Sequence, residues 1–198
     1  MSNVHIVICH YNEDLDWVSN LQYNYTIHSN AGIPSETAPN KGGEASGYLK
    51  YIINNYDNLH EYTIFVHGHR TAWHCKENMD EKLNKLMISE KYCNINDNVN
   101  IEKIWRGCEI TFKNISECIH QISNALNEQI QVTDIVYKQC AQFYVHKDLI
   151  RRHSKETYIK LYDFLMATDL PSWLSGRGFE YTWHYIFTGV HHDCSCPN

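Results

Sequence analysis

The feature that most constrains this chain is an alternation in its amino-terminal third. Two short apolar runs, Val4–Cys9 and Tyr62–Val66, each break abruptly into a polar turn. Both are rich in β-branched or aromatic residues and read as buried strands. Residues 25–28 give another short strand, and Leu15–Val18 starts a short helix, with Asn12 or Asp14 placed to cap it. Between the strands, Ala45, Leu49, Ile52, Ile53, Tyr56 and Leu59 fall on one helical face at spacings of three and four. Strands alternating with helices build a parallel sheet.

The rest of the chain reads less evenly. A helix is expected near residues 79–87, and residues 93–112 are irregular. Asn114-Ile-Ser-Glu117 matches a capping box, opening a helix with Ile115, Cys118, Ile119, Ile122 and Leu126 on one side. Residues 131–136 and 141–145 read as a strand pair. Ser154 caps a further helix that turns Tyr158, Leu161, Tyr162, Leu165 and Met166 inward, and a last helix spans residues 175–187. At 198 residues and 43% hydrophobic, the chain is expected to form one α/β domain over 1–198 with a sizeable core.

Composition excludes some function classes. A net charge of -6 and the lack of a basic block argue against a general nucleic-acid binder. No apolar run approaches the roughly 20 residues that span a bilayer. The amino terminus has no basic region or small-residue cleavage site, so a cytoplasmic, reducing location is expected. The 8 cysteines are scattered without any C-x-x-C, so no disulfide framework is expected and most should be reduced. Only Cys194 and Cys196 form a close pair.

Polar residues gather where the strands end, which is where ligands bind in open α/β sheets. After the first strand come His10, Tyr11, Asn12, Glu13 and Asp14. After the third come His67-Gly-His69, Arg70, Trp73 and His74. His67 and His69 flank one glycine and in extended geometry face the same side, to hold one metal ion or to face an anion. Asn40-Lys41-Gly-Gly-Glu44 precedes a helix, an arrangement that favours phosphate at the helix start, although it has neither the Walker nor the dinucleotide spacing. On the last helix Arg177, Glu180 and His184 are three and four apart, so Glu180 can serve as a general base between an arginine and a histidine. The tail histidines His191 and His192 add possible metal ligands beside Cys194 and Cys196.

Several motifs recur together here: Tyr11-Asn-Glu-Asp14, Asn40-x-Gly-x-Glu44, Asn55-Tyr-Asp-Asn-Leu59, His67-x-His-Arg70 with Trp73-His74, Cys140-Ala-Gln-Phe143, and Ser175-Gly-Arg-x-Phe-Glu-Tyr-x-Trp-His184. In that order they resemble a family of unknown function found mostly in fungi, and they cover nearly the whole chain. Its layout is similar to that of a compact GT-A glycosyltransferase. The resemblance implies a Rossmann-like three-layer fold, with a mostly parallel central sheet flanked by helices. It also implies transfer of a sugar from a nucleotide-sugar donor to a glycan or other hydroxyl acceptor. Under it, Tyr11, Asn12 and Glu13 flank the nucleotide, and His67-Gly-His69 stands where the superfamily's metal-binding Asp-x-Asp would be. Cys140–Phe143 stands for the acceptor loop, Glu180 for the catalytic base, and His191 or His192 for a late metal ligand.

Two departures bear on this reading. Histidines in place of carboxylates remove the hard oxygen ligands preferred by Mg²⁺ and Mn²⁺. The open choices are Zn²⁺ or Fe²⁺, weakly held Mn²⁺, or no metal, with Lys41, Arg70 and the helix start at Glu44 neutralising the diphosphate. Gly43 also stands where the family commonly has arginine. The rival readings are a His-ligated metal-dependent hydrolase and a non-catalytic sugar- or nucleotide-binding module. No acidic residue follows His69 at the metallo-β-lactamase spacing, and the helical stripes argue against a jelly roll.

Overall fold

A computed structural model of the chain describes residues 3–30, 40–97, 101–104 and 109–193. The first strand, β1 (Val4–His10), is buried along almost its whole length. Asp14 Oδ1 accepts from the Asp16 N–H at 2.8 Å beside a 3-10 turn over Asp16–Asn20, whose N-cap is Leu15 with no side-chain cap, so neither Asn12 nor Asp14 caps it. Then come β2 (Asn24–Ser29) and α1 (Glu44–Asn55), which ends in a 3-10 turn at 56–58. β3 (Tyr62–His67), α2 (Met79–Lys85), β4 (Tyr92–Asn94) and β5 (Ile101–Lys103) follow. The remaining elements are α3 (Glu109–Leu126), β6 (Val136–Lys138), β7 (Phe143–His146), α4 (Lys147–Ile150), α5 (Lys155–Ala167) and α6 (Ser172–Thr188).

The main sheet has the order β2-β1-β3-β7-β4. β1 pairs in parallel with β2 and β3, whereas β7 runs antiparallel to both β3 and β4. Four of the five strands therefore share one direction, and this is a mixed α/β domain with a mostly parallel sheet. β5 and β6 form a separate antiparallel pair. The pleat divides the core in two. Val7, Phe65 and Phe143 face α1, α3, α5 and α6. Ile6, Ile8, Ile64, Val66 and Tyr144 face Trp17, Met79 and Leu83 on the other side. The first core is strongly aromatic: Tyr48 lies 4.8 Å from Phe65 and 5.9 Å from Trp183, ring centre to ring centre, and Trp183 stacks on Phe187 at 5.7 Å.

Several sequence expectations shift. Asn114–Glu117 lies inside α3, which begins at Glu109, so it caps nothing. Packing of the Ile115, Cys118, Ile119, Ile122 and Leu126 stripe holds the longer helix together. Residues 132–134 form a 3-10 turn rather than a strand, and the strand there is 136–138. β4 falls within the stretch expected to be irregular. The last helix starts at Ser172, immediately after Pro171. Ser154 does cap α5, its Oγ accepting from the Thr157 N–H at 3.3 Å. No helix among the described residues is long and apolar enough to cross a membrane. Cys9, Cys75, Cys118 and Cys140 are free thiols, while Cys93 is disulfide-bonded, against the expectation of reduced cysteines at that position. Trp105–Cys108, Cys194 and Cys196 lie outside the described residues.

Candidate functional site

The carboxyl ends of β1 and β3 meet at one recess of ≈ 160 Å³, lined among others by Tyr11, Glu13, Glu44, His67 and His69. Glu13 organises the turn after β1. Its Oε2 accepts from the backbone N–H groups of Tyr11 at 2.7 Å and Asn12 at 3.2 Å. Burial pushes the Glu13 pKa up, but these N–H donors, then His69 and His10, hold it below the usual carboxylate range. Its Oε1 lies 3.5 Å from His69 Nε2. The Tyr11 ring is half exposed.

His67 and His69 line this recess together but differ in setting. His69 is exposed. His67 Nε2 is buried and has no hydrogen-bond partner among the described residues. Burial, then the nearby His69, lowers the His67 pKa to about 4, against the opposing charge of Glu13. His67 is therefore a neutral imidazole at physiological pH. His74 sits edge-on to His67 at 5.8 Å but turns its Nδ1 to Asn96 Oδ1 at 2.8 Å.

The second wall is the start of α1. Its first residue, Glu44, follows Gly43, whose φ of 59 suits glycine best, and no side chain caps the helix. The positive end of the helix dipole thus lies at the recess, with the Ala45 N–H already donating to the Gly42 carbonyl at 3.2 Å. The loop before α1 is sewn to the α5–α6 connection. Lys41 Nζ donates to the carbonyls of Thr168 at 2.7 Å and Leu170 at 2.8 Å. The Gly42 N–H donates to Ser172 Oγ at 2.8 Å. Gly176 permits the approach, since a Cβ there would lie 2.9 Å from the Gly42 carbonyl oxygen.

That close approach sets Glu44 facing Glu180. A second recess of ≈ 450 Å³ is lined by Gly43, Glu44, Trp173, Arg177 and Glu180 among others, so it shares Gly43 and Glu44 with the first. Burial raises the Glu44 pKa to about 7, although its own backbone N–H pulls the other way. The Glu180 pKa is raised as well. Burial is the main cause, the Cys140 N–H opposes it, Glu44 adds to it, and Arg177 opposes it weakly.

Glu180 Oε1 accepts from the Cys140 N–H at 2.8 Å. Cys140 has φ 63, the left-handed region that side chains disfavour. Its turn is braced from three directions. Tyr48 OH donates to the Ala141 carbonyl at 2.9 Å. The Nδ2 groups of Asn94 and Asn96 donate to the Cys140 carbonyl at 3.0 and 2.8 Å. Gln142 Nε2 donates to Asn96 Oδ1 at 2.9 Å, while Gln142 Oε1 accepts from the His67 N–H at 3.1 Å. Burial, then Glu180 and Glu44, pushes the Cys140 thiol up to about 12. It is no thiolate nucleophile at neutral pH.

Five of the expected residues are used differently. Lys41 is spent on carbonyls at the end of α5. Arg70 is paired with buried Asp80, Nε to Oδ1 at 3.1 Å and a terminal nitrogen to Oδ2 at 3.2 Å. Neither is available to neutralise a diphosphate. His184 is buried and its Nε2 contacts the His191 carbonyl oxygen at 3.1 Å, so it does not orient Glu180. His191 packs on Tyr185 at 4.8 Å, and both His191 and His192 line a separate recess with Thr133 and Asp134. They do not join His67 and His69. Asn40 does line the first recess. Arg177 is exposed, with its guanidinium over the Trp173 ring at 5.4 Å. Among the described residues, no three His, Cys, Asp or Glu side chains converge to hold a metal ion. The donor set of Glu13, His67, His69 and His74 does not fit a protein-only metal site, because Glu13 and His74 already serve other partners.

Sequence reasoning missed three things. Trp173 lies outside a last helix expected to begin at Ser175, although Pro171-Ser172 is an ordinary helix-start signal. The sequence places Glu44 in a phosphate loop and carries no sign of its proximity to Glu180. The Asn94, Asn96 and Gln142 brace left no signal beyond three amide residues far apart in sequence. No curated protein and no solved structure matches the chain. A family described only as a protein of unknown function, DUF3431, matches residues 6–198, and the chain belongs to that family.

Proposed function

We propose that the protein is a glycosyltransferase that moves a sugar from a nucleotide-sugar donor to an acceptor hydroxyl, with Glu180 as general base. The observation that carries this reading is the pair of recesses sharing Gly43 and Glu44. One lies at the carboxyl ends of parallel strands and at an uncapped helix start, the usual place for a nucleotide and its phosphates. The other holds a desolvated carboxyl. Two adjoining sites, one of them holding the base, suit transfer between two substrates.

In the reaction, the acceptor hydroxyl oxygen attacks the anomeric carbon in line. The bond from that carbon to the diphosphate oxygen breaks, and the leaving group keeps the electron pair. The hydroxyl proton passes to a Glu180 carboxylate oxygen. A raised pKa makes this carboxylate a stronger base than an exposed one, and general base catalysis contributes about 10²–10⁴-fold. Cys140 is a positioning residue, since its N–H fixes the Glu180 oxygen. The α1 start and the imidazoles of His67 and His69 are the groups that meet the diphosphate. Tyr11 and Asn12 flank the nucleotide, and the metal ion is left outside every step.

The test is to incubate the purified protein with a panel of sugar nucleotides and follow donor consumption and binding. Glu180→Gln should retain donor binding and lose about 10²–10⁴-fold in transfer. A protein that binds and consumes no sugar nucleotide overturns the reading, and a fully active Glu180→Gln variant removes Glu180 from it.

A further inference from the structure

We infer that the recess beside Trp173 is a subsite for an uncharged sugar ring. Calling that ring the acceptor rests on the transferase reading, whereas the binding site stands on its own residues. Trp173 is 54% exposed, although tryptophan is among the side chains that gain most from burial. It is not a loose surface residue. It lies in the first turn of α6, and the Arg177 guanidinium sits 5.4 Å from its ring centre, which fixes the indole as a flat platform. The recess it lines also holds Glu44 and Glu180.

This combination selects by chemistry. A flat aromatic surface suits the C–H face of a sugar ring, and the rim of that ring carries hydroxyl donors. Two carboxyl groups are acceptors for those donors. A purely apolar ligand would leave the remaining acceptor positions of both desolvated carboxyls unmet, which is costly. A phosphorylated or carboxylated ligand would meet Glu44 and Glu180 against the single charge of Arg177. The cavity, ≈ 450 Å³, is within the range of about 300–1,000 Å³ usual for small-ligand sites. The first recess, at the α1 start, differs in kind, because an uncapped helix end favours anions. The two compartments adjoin along Gly43 and Glu44.

The experiment titrates neutral oligosaccharides of gluco, manno, galacto, xylo and N-acetylgluco type, and free adenosine and uridine, into wild type, Trp173→Ala and Trp173→Phe. Binding is read by calorimetry and by saturation-transfer NMR. At least one oligosaccharide should bind the wild type. Trp173→Ala should weaken it about tenfold or more, while Trp173→Phe, which keeps a flat ring, recovers most of the affinity. The proposal is overturned if no oligosaccharide binds, if Trp173→Ala binds as tightly as wild type, or if only a nucleoside depends on Trp173. Donor consumption by the wild type is followed on the same preparation. A sugar held through Trp173 with no sugar nucleotide ever consumed keeps the subsite and removes the transferase reading. A donor consumed with no oligosaccharide bound does the reverse.

Discussion

Protonation of one buried histidine, His5, should oppose folding as pH falls from 7 to 4.5. His5 is 8% exposed on β1. Its ring stacks on His60 at 4.4 Å and lies near Tyr51 at 5.6 Å, and its Nε2 contacts Thr26 Oγ1 at 2.8 Å. Its Nδ1 is buried without a partner among the described residues. A proton added there would be a buried charge beside two further histidines. Burial first, then His60 and His28, accordingly lowers the His5 pKa to about 4.

The direction follows from proton binding. The unfolded chain protonates His5 near the ordinary value of about 6.5, and the folded chain only near about 4. Between those values the unfolded state binds the extra proton, so stability falls as pH falls; above the upper value the effect vanishes. The slope is roughly 1 kcal/mol per pH unit, and between pH 7 and 4.5 the loss is roughly 2–3 kcal/mol. His5→Phe keeps the stacked ring and removes the proton. It also leaves Thr26 Oγ1 without this contact, a pH-independent cost of about 1 kcal/mol. Urea unfolding of both proteins at pH 7, 6, 5 and 4.5 gives the comparison. With an m-value of about 2 kcal/mol/M, the wild-type midpoint should lose roughly 1 M more than the variant's across that range. His67, also at about 4, titrates in the same direction and Glu44, raised to about 7, in the opposite one, so the slope left in the variant is the balance of the two. Parallel pH curves for the two proteins would refute the assignment of a buried neutral His5.

Three further outcomes are expected. Glu44→Gln removes a charge that raises the Glu180 pKa, so the acid limb of kcat/KM for transfer should move to lower pH; an unmoved limb would show that Glu180 is not the titrating base. Asn96→Ala removes one partner each from Gln142 Nε2, His74 Nδ1 and the Cys140 carbonyl, and should cost about 2–4 kcal/mol in urea unfolding, whereas a loss below about 1 would show that the amides do not brace the turn. Lys41→Met should cost about 1–2 kcal/mol of stability through its two lost carbonyl contacts, while sugar-nucleotide affinity measured by calorimetry stays within about twofold.

Much of the fold was legible because its signals are local. Val4–Cys9 and Tyr62–Val66 are too apolar to be anything but buried, and the α1 stripe has an unbroken helical period. The site end of the sheet was legible for the same reason, since His10–Glu13 and His67–His69 follow those strands directly. What failed was whatever depends on contacts distant in sequence. Lys41 looked like a phosphate ligand until α5 supplied two carbonyls for it. Arg70 looked free until Asp80 came under it. His184 has the spacing to meet Glu180, but the chain turns back after Gly189 and offers it the His191 carbonyl instead. A charged side chain in a sequence states what it can bind, and the fold decides what it does bind.

The segment Cys140–Phe143 makes the same point from the other side. A cysteine beside a buried carboxyl invites a nucleophilic reading, yet burial and two neighbouring carboxyls push its thiol out of reach of neutral pH. Its contribution lies in the backbone. A non-glycine residue at φ 63 costs roughly 1–2 kcal/mol. The bonds from Tyr48, Asn94 and Asn96, at about 0.5–1.5 kcal/mol each, are enough to offset that. The offset holds one N–H against Glu180, where it opposes the effects of burial and Glu44 on the same carboxyl. Glu180 is thereby kept from being driven as far toward the neutral acid as burial alone would take it. The asparagines beneath the turn bear on Glu180 only through the Cys140 N–H that they help to hold in place.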